Sequence, residues 1–351
     1  MRPLRVALLF NLKKNAPHSA GEPADAAAEL DSEETTLALQ RALEAGGHRV
    51  VPLEGDTNLY PKLQQMRGEI DIAFNICEGH RGDSRESQIP AMLEMLGIPY
   101  TAARILGHAL SLDKAMAKRV WMSYGLPTAA FQVMERGDEP LRKELPFPLF
   151  AKPLREGTAK GIDADSVCRN ERQLRARVAR LIADYQQPAL VEQFLSGREF
   201  TVGLLGNRLG PGEQPLSAAY NKQGYHLFPV LEIDTSPLDE SEKGIYSSHI
   251  KSDVPMGINY VCPARISKKL AVELQRLAVA AFEAIQGLDV SRVDFRLDGQ
   301  SRPHLLEINT LPGINPTISD LCMMARAGGM SYETLVNDIL RLAARRYGLD
   351  R

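Results

Sequence analysis

Short apolar runs alternate with helix-forming stretches along the first third of the chain. A helix is predicted from Ser32, a good N-cap, with Glu33 and Glu34 in its first turn and an end near the glycines at 46 and 47. A second helix is predicted over 87–96. Strands are predicted where apolar residues cluster, at 4–10, 49–53, 70–77 and 98–101. This alternation predicts a doubly wound α/β domain over residues 1–112.

Ligands of such sheets bind beyond the carboxyl ends of the strands, where the polar segments 11–31 and 78–86 fall. The second of these segments is dense in charge. Glu78 and Arg81 in it are therefore candidate residues of a charged substrate pocket. A solvated loop held by its own ion pairs is the alternative interpretation.

Two further units follow, over 113–203 and 204–351. The first is predicted to contain helices at 114–124 and 171–183, strands at 147–153 and 189–193, and a glycine-bearing loop at 155–162. The second opens with a strand at 201–205 and has a long irregular region at 206–264. A helix at 267–286, a hairpin and a C-terminal helix from about residue 332 follow. An irregular region of that length is expected to be functional or to contain strands that the pattern does not reveal.

The hairpin segments 290–297 and 304–309 carry alternating polar and apolar residues. The pattern places Val293, Phe295 and Leu297 on one face of the first strand and Arg292, Asp294 and Arg296 on the other. In the second strand Leu306 and Ile308 share one face, and Leu305, Glu307 and Asn309 the other. Folding the two together is expected to pair Leu297 with His304 and Asp294 with Glu307.

Asp294, Glu307 and Asn309 then converge as hard oxygen ligands of the kind that hold Mg²⁺ beside nucleotide phosphates. Arg292, two residues from Asp294, supplies a fixed cation on the same face. The alternative is that these side chains form the solvated face of an ordinary hairpin.

Composition excludes several classes of function. The 351 residues are 44% hydrophobic and 25% charged, and the formal net charge of −2 gives no basic field for nucleic acid. No apolar run approaches the roughly 20 residues that span a bilayer, so no membrane is expected as a partner. The first ten residues are interpreted as a strand rather than a signal peptide. Four scattered cysteines favour a reducing cytoplasm.

Two central segments carry candidate nucleotide chemistry. The predicted strand 147–153 contains Lys152 and leads to glycines at 157 and 161, a pattern that could bring a point charge and backbone N–H groups to phosphate oxygens. A plain hairpin turn is the favoured alternative for this loop taken alone. The strand that reaches Glu192 turns at 196–197 and resumes with Glu199, so the connection could bind a base and a ribose or could be a plain linker.

Together, seven segments resemble the D-alanine–D-alanine ligases of the ATP-grasp superfamily in order and spacing. They are Ala-Met-Leu-Glu-Met-Leu-Gly-Ile-Pro-Tyr-Thr (91–101), Leu-Ser-Leu-Asp-Lys (110–114), Lys-Pro-Leu-Arg-Glu-Gly-Thr (152–158), Leu-Ser-Gly-Arg-Glu-Phe-Thr-Val (195–202), Ser-Arg-Val-Asp (291–294), Leu-Leu-Glu-Ile-Asn-Thr-Leu-Pro-Gly (305–313) and Ala-Gly-Gly-Met-Ser-Tyr (327–332). The resemblance implies an α/β and α+β ATP-grasp architecture, in which two domains grasp the nucleotide beside the N-terminal α/β domain.

The resemblance also implies roles for individual residues. Those that match ATP-binding positions are Lys114, Lys152, Gly157, Thr158, Ala159, Glu192, Gln193, Phe194, Leu195, Glu199 and Lys251. Those that match the Mg²⁺ ligands are Asp294, Glu307 and Asn309, in agreement with the hairpin argument, with Mn²⁺ as a substitute metal. Arg292 and Gly313 match the groups that stabilise the oxyanion. Either Ser319 or Thr317 matches the contact to the second substrate's carboxylate.

The implied reaction phosphorylates a carboxylate with ATP and then lets an amine attack the acylphosphate. Small amino acids, peptides or other carboxylates and amines are the implied substrates. Dimers through the first domain are common in the family, and the resemblance allows a homodimer here. A lid must exclude water from the acylphosphate, and the glycine loop and the 206–264 region are the candidates.

The chain departs from the family at the substrate end. The usual glycine-rich turn with an acid for the first substrate's ammonium is absent after the first strand, and only Glu33 or Glu34 could take that role from a shifted position. The usual histidine-glycine is replaced by Glu78-Gly79. The loop-fastening serine and tyrosine of the family appear as Thr158 and, by position, Ser252. These departures favour a ligase with altered substrates.

Three other interpretations stay open from the sequence. The chain could be an authentic D-alanine–D-alanine ligase of cell-wall synthesis. It could be a kinase-like enzyme that stops at the acylphosphate, although the presence of Arg292 argues against that. It could also be a catalytically silent ATP-binding sensor, although all the matched metal ligands and phosphate lysines are present.

Overall fold

A computed structural model of the chain describes residues 2–17, 22–237 and 259–350. Lys251, predicted to contact phosphate, and Ser252 lie outside the described residues. Within those ranges the chain forms three β-sheets with helices packed against them. None of the described helices is both long enough and apolar enough to cross a lipid bilayer.

The first sheet is parallel, with the strand order β2-β1-β3. Its strands are β1 (Arg5–Phe10), β2 (Arg49–Glu54) and β3 (Ile72–Asn75), and its helices are α1 (Glu33–Ala45), α2 (Leu59–Gln65), α3 (Gln88–Leu96) and α4 (Ile105–Leu112). The Ser32 hydroxyl accepts a hydrogen bond from the Thr35 N–H and so caps α1 as predicted. Helix α3 ends at Gly97, whose φ of 64° suits glycine.

The strand predicted at 98–101 is wrong, because this segment makes only a single parallel bridge between Tyr100 and Ala73. Pro99 has no N–H to donate and contributes only its carbonyl, which accepts from the Ala73 N–H. The pairing stops at Thr101, whose side-chain oxygen accepts from the Asn75 N–H.

The second sheet is antiparallel, with the order β4-β7-β5-β6. It consists of β4 (Phe131–Met134), β5 (Leu149–Pro153), β6 (Val167–Cys168) and β7 (Ala189–Gln193), preceded by α5 (Lys114–Ser123) and covered by α6 (Glu171–Tyr185). Leu174, Val178 and Leu181 recur at helical spacing along α6 and pack on the sheet. Both helices lie within two residues of their predicted bounds.

The third sheet has six strands, in the order β11-β10-β8-β12-β13 with β9 paired to β8. They are β8 (Glu199–Gly206), β9 (Tyr225–Leu227), β10 (Leu231–Asp234), β11 (Asn259–Val261), β12 (Val290–Leu297) and β13 (Pro303–Asn309). Three of these strands, β9 to β11, lie in the region expected to be irregular. The predicted boundary after residue 203 falls inside β8, all of which belongs to this sheet.

The β12–β13 hairpin confirms the predicted pairing of Asp294 with Glu307 but not that of Leu297 with His304. A bulge lies between the two positions, so Leu297 faces Pro303. Leu306 is the extra residue of β13, which reverses the predicted faces. Leu305 is fully buried in the core beneath helix α7 (Lys268–Ala284), while Leu306 lines an open cleft.

The C-terminal helices α8 (Asp320–Ala327) and α9 (Tyr332–Arg346) return the chain to the first sheet. Leu335 and Ile339 of α9 share a hydrophobic core with Leu39 and Leu43 of α1. The first and third units are therefore not independent, because their apolar faces bury each other.

Asp289, which is fully buried, ties this junction together. Its carboxylate accepts hydrogen bonds from the Ala102 N–H at 2.9 Å, the Asn207 amide at 2.8 Å and the Arg346 guanidinium at 2.6 Å. These donors come from three separate segments of the chain. A buried charge with good partners contributes to stability only while the set is complete.

We expect Asp289→Asn to lower the free energy of unfolding by about 3 kcal/mol, because it leaves the Arg346 guanidinium buried without a counter-charge. Urea unfolding followed by circular dichroism measures the change. Asp138→Asn is the control: its partner Arg136 is exposed, and no measurable change is expected. Equal stability of the Asp289→Asn variant and the wild type would contradict the assignment.

Candidate active site

A cleft lies between the second and third sheets and encloses, with the solvent at its mouth, about 920 Å³ of space. We call it the lysine cleft. Its walls come from β5, β7, β8, β12, β13 and the start of α5. It is lined by Lys114, Phe150, Lys152, Thr158, Ala159, Lys160, Glu192, Gln193, Phe194, Leu195, Glu199, Arg292, Asp294, Arg296, Leu306, Glu307 and Asp320, among others. Most of the predicted ATP and metal positions thus meet in one place.

Glu192 lies at the back of the lysine cleft between two buried lysines. The ammonium groups of Lys118 and Lys152 are each 2.8 Å from a different oxygen of its carboxylate. Burial alone would raise the pKa of Glu192, but the two lysines outweigh it and lower the pKa to about 2. The carboxylate is therefore ionised at any working pH.

The sequence analysis did not single out Lys118. The structure buries this lysine completely, and burial lowers its pKa. The signal was available, because Lys118 follows Lys114 by four residues on α5 and so shares its helix face. Lys114 points the other way along the cleft, with its ammonium 3.5 Å from Glu307 and also bonded to the Glu156 carbonyl.

The far end of the cleft combines aromatic and charged groups. The rings of Phe150 and Phe194 lie nearly parallel with centroids 6.3 Å apart, and the Arg296 guanidinium lies 5.3 Å from the Phe194 ring. Arg296 also donates to the Glu199 carboxylate at 3.3 Å. Phe150 and Leu306 come from different sheets, so a flat apolar ligand could enter between them. The sequence pattern already placed Arg296 on the same strand face as Arg292 and Asp294, and this shared face was the signal that Arg296 lies at the site.

The acidic hairpin forms the opposite wall. Arg292 donates to both oxygens of Asp294, at 3.0 and 2.9 Å, and the Asn309 amide lies 3.3 Å from the same carboxylate. Thr201 donates a further hydrogen bond at 2.5 Å. Burial acts to raise the pKa of Glu307, but Lys114, Lys152 and Arg292 lower it to about 2. Both carboxylates thus face the cleft close to fixed cations.

This donor set fits Mg²⁺. Two carboxylates and an amide are hard oxygen donors, and Mg²⁺ is usually bound by one or two carboxylates while phosphates and water complete its shell. Among the described residues, no group of three or more His, Cys, Asp or Glu side chains could hold a metal by itself. A divalent cation here would therefore depend on the oxygens of a bound ligand.

The glycine loop covers the cleft from the side of the second sheet. Thr158 and Ala159 have positive φ angles of 49° and 55°, which turn the backbone sharply. Next to them, a cluster of four buried charges joins the loop to the first unit: Glu156 and Lys160 of the loop contact Glu29 and Arg85. The Gly157 N–H also donates to Glu29. The segment before α1 thereby fastens the loop.

A second cleft, which we call the acidic cleft, opens from the first where Lys114, Thr158, Arg292, Glu307 and Asp320 line both. It is further lined by Lys13, Glu29, Asp31, Glu78, Glu86, Gly157, Tyr260, Asn309, Gly313 and Ser319, among others. Glu307 and Asn309, two of the predicted metal ligands, therefore adjoin the predicted substrate residues Glu78 and Ser319.

Ser319 and Gly313 face each other in the acidic cleft. A side chain at Gly313 would meet the Ser319 oxygen at 3.1 Å, so only glycine leaves the space between them open. Thr317 is exposed, bonds to the Asn315 side chain and does not line the cleft. The placement thus favours Ser319 over Thr317.

Two predicted substrate residues lie elsewhere. Glu34 is exposed on the solvent side of α1 and lines neither cleft, because the helix turns it outward after Ser32. Arg81 is exposed and lines a neighbouring hollow with His80 and Asp83. The structure thus places both residues outside the two clefts, whereas Glu78 lines the acidic cleft.

Asp31 is the acid that the sequence analysis missed. It lines the acidic cleft immediately before α1, and its pKa is raised to about 7 by burial. Its backbone carbonyl accepts from the Lys13 N–H, which holds the segment against the end of β1. The signal was its place just before the Ser32 cap, where a side chain points toward the carboxyl end of the sheet.

Glu78 and Glu86 line the same cleft. Burial raises the pKa of Glu86 to about 7, and burial with repulsion from Glu86 raises the pKa of Glu78 well above its usual value. His108 lies 3.8 Å from Glu86 but, with its pKa lowered to about 3 by burial, is neutral. No described residue donates a hydrogen bond to the carboxylates of Asp31, Glu78 or Glu86.

Comparison with known proteins gives one consistent result. The family described as D-ala D-ala ligase C-terminus matches residues 120–341. The D-alanine–D-alanine ligase of Bordetella avium is 37% identical over 288 residues, which cover 81% of this chain and 82% of that protein. That of Pelotomaculum thermopropionicum is 31% identical over 327 residues, 90% and 93% of the two chains.

A third relative is the uncharacterized protein y4sG of Sinorhizobium fredii, 36% identical over 312 residues, 87% of this chain and 86% of that protein. Among solved structures, the D-alanine–D-alanine ligase from Bacillus anthracis complexed with ATP superposes with a TM-score of 0.71 at 18% identity, covering 99% of this chain and all of that one. At 18% identity the superposition shows that the two chains share a fold, and no more than that.

The raised pKa values of Asp31 and Glu86 predict a pH dependence of stability. Between about pH 4 and 7 the unfolded state loses these protons while the folded state keeps them, so stability falls as pH rises through that window. Asp31→Asn and Glu86→Gln remove the effect, and each variant should melt at least about 2 °C above the wild type at pH 8.

Scanning fluorimetry from pH 4 to 8 measures this. Glu34→Gln, an exposed acid of the same region, is the control and should follow the wild-type curve. The groups that face the two acids, Glu29, Glu78, Arg85, Lys114 and Glu156, are unchanged in these variants. Variants that melt below the wild type at pH 8 would mean that the carboxylates have stabilising partners.

Proposed function

The chain belongs to the D-alanine–D-alanine ligase family, and we propose that it uses ATP to join a carboxylate and an amine other than two molecules of D-alanine. Membership makes it an ATP-grasp enzyme of the carbon–nitrogen ligase type. The observation that carries the proposal is a contrast between the two clefts. The lysine cleft keeps the residue types that the family resemblance requires, while the acidic cleft has Asp31, Glu78 and Asp320 at its substrate end.

The lysine cleft suits ATP in its shape and charge. The gap between Phe150 and Leu306 fits the flat adenine ring, and the β7 end, from Glu192 to Leu195, offers backbone groups to the base edge. Glu199 could bind the ribose hydroxyls. Lys114 and Lys152 are less than a tenth exposed and point charge at the phosphates from two sides.

Asp294, Glu307 and Asn309 would hold Mg²⁺, or Mn²⁺ in its place, beside the phosphates. A cation bound there would neutralise charge on the phosphoryl group during transfer. Lys114, 3.5 Å from Glu307, adds a fixed positive charge from the protein itself. This arrangement supports phosphorylation of a substrate carboxylate at the point where the two clefts join.

Arg292 and Gly313 serve the second half-reaction. When the amine attacks the acylphosphate carbonyl, the negative charge that develops on oxygen needs donors already in position. Arg292 lines both clefts, and the Gly313 backbone faces the space that Ser319 leaves open. The carbonyl carbon then forms its bond to nitrogen and the bond to the phosphate oxygen breaks. The nitrogen gives up one proton, and the phosphate leaves as hydrogen phosphate.

The glycine loop keeps water away from the reactive acylphosphate. Glu29 and Arg85 of the first unit hold Glu156 and Lys160 of the loop through buried ion pairs. Contacts from the first unit therefore hold the loop over the cleft.

We expect Mg²⁺-dependent release of ADP with a carboxylate–amine pair other than two D-alanines. A panel of L- and D-amino acids, dipeptides and simple amines, assayed by ADP release and by mass spectrometry of the product, identifies the pair. Strong and exclusive turnover of D-alanine would overturn the altered-substrate proposal. Binding of Mg²⁺ and ATP without ADP release in any mixture would favour a silent sensor.

With the substrate pair so identified, Asp294→Asn should lower kcat for ADP release by at least about 100-fold, because the carboxylate acts on charge in the transition state. Asp298→Asn changes the same residue type in the turn of the same hairpin, outside both clefts, and should leave kcat unchanged. If Asp294→Asn retained wild-type kcat, the assignment of the metal ligands would be wrong.

A further inference from the structure

We propose that the acidic cleft selects a dibasic substrate, a diamino acid or a compound of the same charge, whose second ammonium group lies among Asp31, Glu78 and Glu86. The inference rests on the proposed function, because it names the class of substrate for that site. It starts from an imbalance of charge in the acidic cleft.

Most acids near the active site have a counter-charge. Glu29 contacts Arg85 at 2.8 Å and Lys160 at 2.9 Å, and Glu307 faces Lys114. Four acids that line the acidic cleft accept no hydrogen bond from a cationic side chain among the described residues: Asp31, Glu78, Glu86 and Asp320. Arg85 attracts Glu78 and Glu86, and Lys114 attracts Glu86, but neither cation lies within 4 Å of them. Among the described residues, the cations that line it are Lys13, which is exposed, and Lys114 and Arg292, which already face other acids.

Asp320 is the clearest example of an acid in this cleft that lacks a close positively charged partner among the described residues. It is only 5% exposed, and no described residue donates a hydrogen bond to its carboxylate. The nearest cation is Arg292 at 3.7 Å, and Arg292 already makes two shorter bonds to Asp294. Asp320 lines both clefts, so this nearly buried charge points to where the substrates meet.

The opposite end of the cleft repeats the pattern with three carboxylates. Asp31 comes from the segment before α1, Glu78 from the end of β3 and Glu86 from the turn before α3, so separate parts of the fold converge on one space. Buried charges are normally paired, and leaving them unpaired is costly. Three segments that each bring an unpaired carboxylate to one cavity therefore indicate a ligand that supplies the positive charge.

An organic cation suits this space better than a metal ion. No trio of acidic, histidine or cysteine side chains among the described residues is arranged to coordinate a metal. An ammonium group needs no such close geometry, because its three N–H donors can reach separate carboxylates. An arriving cation favours ionisation of these acids. Once all three are ionised, a single α-ammonium leaves them with net negative charge, and a second ammonium group on the same molecule comes closer to balance.

Substrates without the second charge are disfavoured by the same argument. A neutral side chain would remove water from Glu78 and Glu86 without replacing its hydrogen bonds. The raised pKa values of these acids agree with this view, since each becomes easier to ionise when a cation arrives.

The test compares diamino acids with isosteres in which a methyl group replaces the terminal ammonium. The pairs are 2,3-diaminopropionate with 2-aminobutyrate, 2,4-diaminobutyrate with norvaline, ornithine with norleucine, and lysine with 2-aminoheptanoate, each as both enantiomers. Calorimetry with the full chain, Mg²⁺ and a non-hydrolysable ATP analogue gives Kd without requiring turnover. We expect at least one diamino acid to bind at least about tenfold more tightly than its isostere.

Glu78→Gln and Glu86→Gln are expected to reduce that preference at least about fivefold, while the exposed Glu34→Gln leaves it unchanged. Both amide variants should melt at or above the wild-type temperature, since they remove an unpaired charge. A carboxylate with a merely structural role would instead lower the melting temperature when changed.

Two results would overturn the inference: no diamino acid binds more tightly than its isostere, or the preference survives in both amide variants. Either result leaves the proposed function standing if the ADP-release panel finds a substrate pair. Conversely, a diamino-acid preference without ADP release in any mixture would support the cation-binding site and overturn the ligase activity.

Discussion

The active-site region depends on burying charged side chains in complementary sets. Glu192 lies between Lys118 and Lys152, both within 2.8 Å, deep in the protein. A carboxylate at this depth would be strongly unfavourable alone, and so would either lysine. Because the three residues come from β7, α5 and β5, their mutual neutralisation holds these elements in one arrangement. The lysine cleft exists because this set is complete.

The same rule explains why the acidic cleft differs in character. Burial raises the pKa of its carboxylates, and the attraction of Arg85 and Lys114 for Glu86, and of Arg85 for Glu78, does not offset that effect. Such an arrangement lowers the stability of the empty protein, and a bound ligand recovers that loss when it supplies the missing charge. If these acids bind the proposed substrate, stability and recognition oppose each other at Glu78 and Glu86, as is common at functional sites.

The sequence was sufficient to predict what depends on local pattern. The N-cap at Ser32, the bounds of α5 and α6 and the pairing of Asp294 with Glu307 follow from spacing alone. It was insufficient where one residue changes the register or where distant segments meet. The bulge at Leu306 places Leu305 and Leu306 on the faces opposite to those predicted, and no sequence pattern in β13 indicates a bulge. Asp31 becomes a candidate only once its segment lies beside β3.

Family membership and substrate identity have different physical bases in this chain. Relatives at 31 and 37% identity over most of the chain show the family. Phosphoryl transfer depends mainly on positioning and electrostatic stabilisation, a demand that does not depend on which substrate is used. Substrate choice depends on a few side chains at the far end, where exchanging one residue alters the charge of a cavity. Asp320 is such a residue: the first position of α8 is structurally permissive, yet a carboxylate there changes the field around Arg292. The fold therefore limits the chemistry, and under the proposal made above the acids of the acidic cleft limit the substrate.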